Sequence, residues 1–140
     1  MRLTALDRLD IIQLTATFDN AVDSENVEKY LSTFAEDGEL QGFWGVTKGH
    51  SQLRAEFPGL LDSFARGRRH LLTNHEIEGE GDTARMYCYL TVFNRESNSM
   101  AGSGVFHDTL VKIEGRWYFK TRRLEADPNV MALLQSMQTS

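Results

Sequence analysis

The chain has 140 residues, 41% of them hydrophobic and 25% charged, which suits one globular core and excludes disordered, collagen-like and coiled-coil chains. Its formal net charge of −5 disfavours a nucleic-acid partner, because phosphate binding needs concentrated positive charge. Length and composition predict one domain over residues 1–140. The single cysteine cannot form an internal disulfide, and a reducing cytoplasm is therefore expected. The sequence has no apolar run of roughly 18 residues, so no membrane partner is expected.

Helical spacing of apolar residues dominates the first half of the chain. It predicts helices over residues 5–22, 25–35 and 49–65, with a short strand over 40–43 between the second and the third. Pro58 lies inside the third helix, and we expect it to break that helix into two pieces, because proline lacks the amide donor.

From residue 68 onward the apolar period becomes strand-like. The predicted strands cover residues 68–78, 83–94, 101–113 and 116–125. Tight turns separate the first two and the last two strands, so consecutive strands should pair antiparallel. A last stretch with helical spacing covers 129–137. Helices followed by a long antiparallel sheet indicate an α+β fold in which the helices cover one concave face of a curved sheet.

Four local strings accompany this order of elements: FAEDGE at 34–39, RHLLTN at 69–74, GDTA at 81–84 and GRWYFK at 115–120. Together they resemble the SnoaL-like branch of the nuclear-transport-factor-two-like superfamily, over about residues 5–126. The resemblance implies a cone-shaped roll of the cystatin-like kind. It indicates fold better than function, because this scaffold hosts dehydratases, dehydrochlorinases, isomerases, dioxygenase small subunits and non-catalytic binders.

Two enzyme groups of that superfamily, similar to scytalone dehydratase and to hexachlorocyclohexane dehydrochlorinase, suggest candidate catalytic residues. Both place an aspartate just after the first helix and a histidine at the start of the long strand, and Asp23 and His70 match these places. The dehydrochlorinase group also has an arginine five residues after the tryptophan of the last strand, which corresponds to Arg122.

The chain also departs from the dehydratase pattern. Val22 stands where the dehydratase has a tyrosine, and Phe93 or Asn94 stands where it has a second histidine. We therefore do not expect the dehydratase's own substrate, and only the proton-abstracting pair is carried over.

The implied chemistry is proton abstraction from carbon. Asp23 would accept a hydrogen bond from one imidazole nitrogen of His70, so that the other nitrogen acts as the base. If a leaving group sits on the next carbon, the result is β-elimination, and Arg122 would stabilise the departing anion. Each residue also has a structural interpretation: Asp23 as a helix cap, His70 as a half-buried strand histidine and Arg122 as a surface residue.

Strand alternation places His70 on one face with Leu72 and Asn74, a mixed lining that suits a pocket. Asn74 is a ligand-binding candidate, and its alternative role is structural hydrogen bonding at the strand edge. The further candidates for ligand binding are Leu72, Phe93, Asn94 and Phe106. Alternation also predicts that Arg122 lies on the face opposite to the tryptophan of the last strand.

No metal or cofactor is expected. The remaining histidines, His50, His75 and His107, lack metal-ligand spacing, and alternation puts His75 on the face opposite to the candidate base. His107 and Asp108 are neighbours on a strand and should face opposite sides. The chain has no Gly-rich phosphate loop or dinucleotide fingerprint, so the chemistry is expected to be cofactor-independent.

Three functions follow as hypotheses. The first is a lyase or isomerase acting on a hydrophobic, cyclic small molecule. The second is a non-catalytic binding module, and the third is the small subunit of a ring-hydroxylating dioxygenase. We also expect a homodimer through the outer sheet face, carrying Tyr87, Tyr89, Trp117 and Phe119, and a buried, unreactive Cys88.

Overall fold

The computed structural model describes residues 1–130 and confirms the α+β fold. The elements are α1 (Ala5–Asp23), α2 (Val27–Leu31), β1 (Phe34–Gly42), β2 (Gly45–Lys48), α3 (Gly49–Leu60), a π-helical turn (Leu61–Ala65), β3 (Arg68–Glu80), β4 (Thr83–Asn94), β5 (Met100–Ile113) and β6 (Arg116–Ala126). The six strands form one sheet in the order β2-β1-β6-β5-β4-β3. All neighbours are antiparallel except β1 and β6, which pair parallel.

The second helix is shorter than predicted. It ends at Leu31, and the chain from Phe34 onward forms β1 instead of a last helical turn. Asn26 caps this helix, because its side chain accepts a hydrogen bond from the backbone N–H of Lys29. The interpretation of Asp23 as a helix cap is therefore wrong, since Asp23 is the last residue of α1.

Pro58 does not break the third helix where it stands. It lies inside α3, and the hydrogen-bonding pattern changes only in the following turn, where the backbone N–H of Arg66 donates to the carbonyl of Leu61. A proline removes a single helical hydrogen bond, and near a helix end the neighbouring turn adapts to that loss.

A bulge in β3 changes which side chains face the helices. β3 has one more residue than β4 between Thr73 and Glu76, and Asn74 lies in this bulge with a φ of 57°. Asn74 is therefore exposed, and His75 turns inward, where its Nε2 lies 3.2 Å from the hydroxyl of Thr15 in α1. The expectations that aligned Asn74 with the candidate base and put His75 on the opposite face are wrong.

A second bulge has the same effect in β6, which has one more residue than β5 between Phe119 and Thr121. Beyond it, Arg122 lies on the inner face with Trp117 and Phe119, and all three are buried. The expectation that Arg122 lies opposite to the tryptophan is wrong. Because they are buried, Trp117 and Phe119 are also unavailable to an outer-face dimer contact.

The core lies between α1 and the inner face of the sheet. Phe18 of α1 stacks at its centre against the rings of Phe34, Phe106 and Phe119. Cys88 is fully buried, as predicted, and burial raises the pKa of its thiol to about 11. No helix within residues 1–130 combines the length and apolar character needed to cross a bilayer. The helical stretch predicted for 129–137 falls outside the described residues from residue 131 onward.

The N-terminal end of α1 is tied to the sheet through Asp7. Thr4 and Asp7 form a reciprocal capping box. The Asp7 carboxylate also accepts hydrogen bonds from the indole of Trp117 and the ammonium of Lys112, each at 3.1 Å. These contacts fix the angle at which α1 crosses the sheet, and so position its other end.

Candidate functional site

Asp23 and His70 meet where the end of α1 crosses the start of β3. The Nδ1 of His70 lies 2.8 Å from Oδ1 of Asp23, and the backbone N–H of His70 donates to Oδ2 at 3.3 Å. An ionised carboxylate only accepts hydrogen bonds, so Nδ1 carries the proton in this contact. The tautomer is thereby set, with the lone pair of the imidazole on Nε2.

The imidazole of His70 borders an apolar cavity of about 130 Å³. The wall consists of side chains from α1, β1, α3, the π-helical turn and strands β3 to β6, among them Phe18, Leu90 and Phe106. A cavity of this volume is roughly the size that holds one aromatic ring. Within residues 1–130, Nε2 of His70 has no hydrogen-bond partner. A ring bound in the cavity would lie against the imidazole of His70.

The cavity mouth is aromatic. Phe43 and Trp44, in the turn between β1 and β2, line the cavity and are each more than a third exposed. Their rings pack edge to face, and Phe43 packs in the same way on Phe64 of the π-helical turn. Such rings exclude water from the base while leaving a route for an apolar molecule.

Arg122 is held away from the cavity. Its Nε and Nη2 donate to the two carboxylate oxygens of Asp108 at 3.0 and 3.3 Å. The rings of Phe18, Phe106 and Phe119 surround the guanidinium, with centroids 4.5, 3.8 and 4.3 Å from its central carbon. Arg122 is fully buried and does not line the cavity. Arg122 is therefore not placed to contact a ligand in the cavity.

Two buried carboxylates near the pair were missed by sequence reasoning. Asp19 lies one helical turn before Asp23, and burial raises its pKa to about 7 although Arg122 and His70 act in the opposite direction. The four-residue spacing of Thr15, Asp19 and Asp23 on one helix face is a signal that would have found it. Nothing in the local sequence marks Asp108, which depends on pairing opposite Arg122 across β5 and β6.

The structure separates the other predicted ligand-binding residues. Phe106 lines the cavity, whereas Leu72 packs on the core beyond it. Phe93 and Asn94 do not line the cavity, although Val92 beside them does. Asn94 closes the β4–β5 hairpin instead, because its side-chain amide donates to the hydroxyl of Ser99 at 3.0 Å. With the exposed Asn74, four of the five candidates lie outside the wall.

Metal-ligating side chains do not cluster in the part of the chain that is described: no three His, Cys, Asp or Glu residues are arranged to hold an ion. His107 and Asp108 face opposite sides of the sheet, as predicted. The ring of His107 packs on Tyr87 at 5.2 Å, while Asp108 is buried against Arg122.

Solved structures with the same fold include a protein of unknown function with a cystatin-like fold from Nostoc punctiforme. It is 52% identical, with a TM-score of 0.89 over 91% of this chain and 96% of that chain. LinA is 21% identical, with a TM-score of 0.77 over 87% and 86% of the two chains. A candidate scytalone dehydratase from Novosphingobium aromaticivorans is 22% identical, with a TM-score of 0.75 over 87% and 85%.

The last two likenesses show the fold alone, and no curated protein matches the chain. The family comparison is more direct. The SnoaL-like domain matches residues 3–123, which includes α1, the whole of β3 and the candidate pair. The chain belongs to the SnoaL-like domain family.

Proposed function

We propose that the chain is a cofactor-independent lyase or isomerase, in which His70 removes a proton from a hydrophobic, ring-sized small molecule. The observation that carries the proposal is the 2.8 Å contact between Asp23 and Nδ1 of His70, which leaves Nε2 unbonded beside an apolar cavity. Membership of the SnoaL-like family supports the broader function of processing or binding a small molecule.

The proposed step is a proton transfer from carbon to Nε2 of His70. The electron pair released at that carbon forms a double bond, and a leaving group departs from the adjacent carbon with its own electrons. In an isomerisation the proton returns to a different carbon instead. Asp23 stabilises the imidazolium that forms, and the dry wall of the cavity strengthens that interaction.

The test is a screen of cyclic β-hydroxy and β-halo compounds with the wild type and His70→Ala. We expect turnover only in the wild type, because the variant lacks the base. The His70 side chain is 12% exposed and is bonded to Asp23, so Tm should fall somewhat, and a cooperative thermal transition checks that the variant remains folded. Turnover that survives in His70→Ala, or none by the wild type on any compound, contradicts the proposal.

One observation favours a second function, non-catalytic binding in which His70 orients a ligand. Arg122 had been expected to stabilise the departing anion, but Asp108 holds it outside the cavity wall. Ligand capture without turnover in the screen supports this function. The third hypothesis, a dioxygenase small subunit, is tested by co-purification with a large iron–sulfur subunit.

We further propose that a second copy of the chain covers the outer face of the sheet. Tyr87 and Tyr89 are exposed there, with their rings 5.9 Å apart. Acidic Glu76 lies on β3, and basic Arg123 lies on β6 at the far side of this face. A two-fold axis parallel to the strands would place the acidic side of one copy over the basic side of the other.

Sedimentation at micromolar concentration tests the dimer. We expect a dimer for the wild type and a monomer when Tyr87 and Tyr89 are both replaced by Glu. The matched control is Val46→Glu, because Val46 is also a large apolar residue and is more exposed than either tyrosine, but lies on the edge strand β2. A wild-type monomer contradicts the proposal.

A further inference from the structure

Arg68 stands at the first position of β3, two residues before the candidate base. Both side chains line the cavity, and residues two apart on a strand point to the same face about 7 Å from each other. Gly67 precedes Arg68 with a φ of 76°, so the chain turns sharply into the strand and delivers Arg68 to the cavity edge. A ligand beside Nε2 of His70 is therefore within reach of a guanidinium.

The charge of Arg68 is not neutralised by the protein. Within residues 1–130 no carboxylate lies within 4 Å of its guanidinium, and its one hydrogen bond is a long 3.4 Å contact to the carbonyl of Phe64. By contrast, Arg66 pairs with Glu25 and Arg54 pairs with Glu28. Among the described residues that line the cavity, none is acidic. An unpaired guanidinium at the edge of an apolar space attracts an anion more strongly than one in water.

A guanidinium also has a geometric preference. Its planar fork of N–H donors matches the two oxygens of a carboxylate and accepts a phenolate oxygen equally well. The remaining wall offers apolar side chains for the rest of such a ligand. The cavity therefore combines a place for a ring with a place for an anionic oxygen at its edge.

We propose that Arg68 determines ligand class, by binding an anionic oxygen group, a carboxylate or a phenolate, of a ligand whose ring fills the cavity. The inference rests on the proposed function for its link to His70, since it makes the substrate an organic anion whose reactive carbon lies within a few bonds of the charged group. Its binding component does not depend on turnover, so it is tested separately.

The experiment compares matched ligands by isothermal titration calorimetry. One arm uses benzoate against neutral benzamide, and the other uses 4-nitrophenolate against neutral nitrobenzene. A charge-assisted hydrogen bond at a partly exposed site is worth roughly a tenfold preference for the anion. We expect that preference in the wild type in at least one arm, and the arm that shows it identifies the anionic group.

Arg68→Gln should abolish the preference, and Arg68→Lys should keep part of it, because lysine retains the charge without the fork. The matched control is Arg69→Gln, since Arg69 is the exposed neighbour. His70→Gln should retain the preference although it removes the base, which separates this inference from the proposed function. Equal binding of the two ligands, no binding of either, or a preference that disappears in His70→Gln and survives in Arg68→Gln overturns the role of Arg68.

Discussion

The two ends of α1 hold buried carboxylates in opposite environments. Asp7 and Asp19 have the same exposure, 7% each. Asp7 accepts hydrogen bonds from the backbone N–H of Thr4 and the indole of Trp117. The ammonium of Lys112 adds a third donor, and together these hold the pKa of Asp7 well below its usual range. Asp19 has no hydrogen-bond donor among the described residues, and burial raises its pKa to about 7.

The two pKa shifts have opposite signs because hydrogen-bond donors act on Asp7, which lies near the surface, whereas desolvation acts on Asp19, which lies deeper in the protein. At the N-terminal end, three donors satisfy the Asp7 carboxylate, and Asp7 thereby links the helix to the sheet. Toward the C-terminal end Asp19 lies one turn from Asp23, which itself contacts the imidazole of His70. This end of the helix therefore places a carboxyl group with a raised pKa, that of Asp19, beside the candidate pair.

The largest expected effect tests the functional end. Asp23→Asn should lower kcat about a hundredfold or more, because the amide no longer stabilises the imidazolium and presents an N–H to the ring of His70. The pH profile of kcat should also shift, which a purely structural role of Asp23 does not predict. The measurement is steady-state kinetics on a substrate found in the screen.

The matched control for that variant is Asp10→Asn, because Asp10 is an exposed aspartate on the same helix. It should leave kcat and the pH profile unchanged. Wild-type activity in Asp23→Asn would show that the contact with His70 is structural only.

The next largest effect tests the N-terminal end of α1. Asp7→Ala removes the half of the capping box in which the Asp7 carboxylate accepts from the backbone N–H of Thr4. It also removes the acceptor for Trp117 and Lys112, so the indole is left buried without its partner. We expect Tm to fall by several degrees in thermal unfolding, with Asp10→Ala unchanged. Since the pKa of Asp7 is lowered, its contribution is present above about pH 4 and is lost as the pH falls. A Tm difference that persists undiminished in acid contradicts this account.

The sequence predicted the long strands well and their faces less well. Alternation and turn residues located β3 to β6 within a few residues, because both follow from local chemistry. The bulges were not foreseen, since one extra residue leaves the composition of a strand unchanged. Asn74 illustrates the limit: asparagine tolerates a positive φ, but the same residue is equally ordinary in a regular strand edge.

The candidate site divides in the same way. Asp23 and His70 were found through resemblance to a family, since their separation in sequence predicts no contact. Asp108 depends on the register of two strands and on a bulge, so no local pattern identifies it. Arg122 was recognised as a candidate, but the bulge in β6 places it on the face of the sheet opposite to the predicted one. Pairings across a sheet are set by the whole fold, and short motifs do not encode them.

The last expected effect is limited to neutral and alkaline pH and concerns Asp19, whose pKa of about 7 lies above the ordinary value of 3.8. A raised folded-state pKa means that the folded protein binds the proton more tightly, so stability is greatest below about pH 4 and declines as the pH rises toward 7. Asp19→Asn removes this decline. At pH 8 the variant should exceed the wild type in free energy of unfolding by up to about 4 kcal/mol, and at pH 4 the difference should be small. Urea unfolding at several pH values measures the difference, in which the contributions of the other carboxylates cancel.

The control is Asp7→Asn, which should give a difference of the opposite sign that appears above about pH 4. A difference for Asp19→Asn that does not change with pH would show that the carboxyl of Asp19 has the same pKa in the folded and unfolded states, and the contrast between the two ends of α1 would be lost.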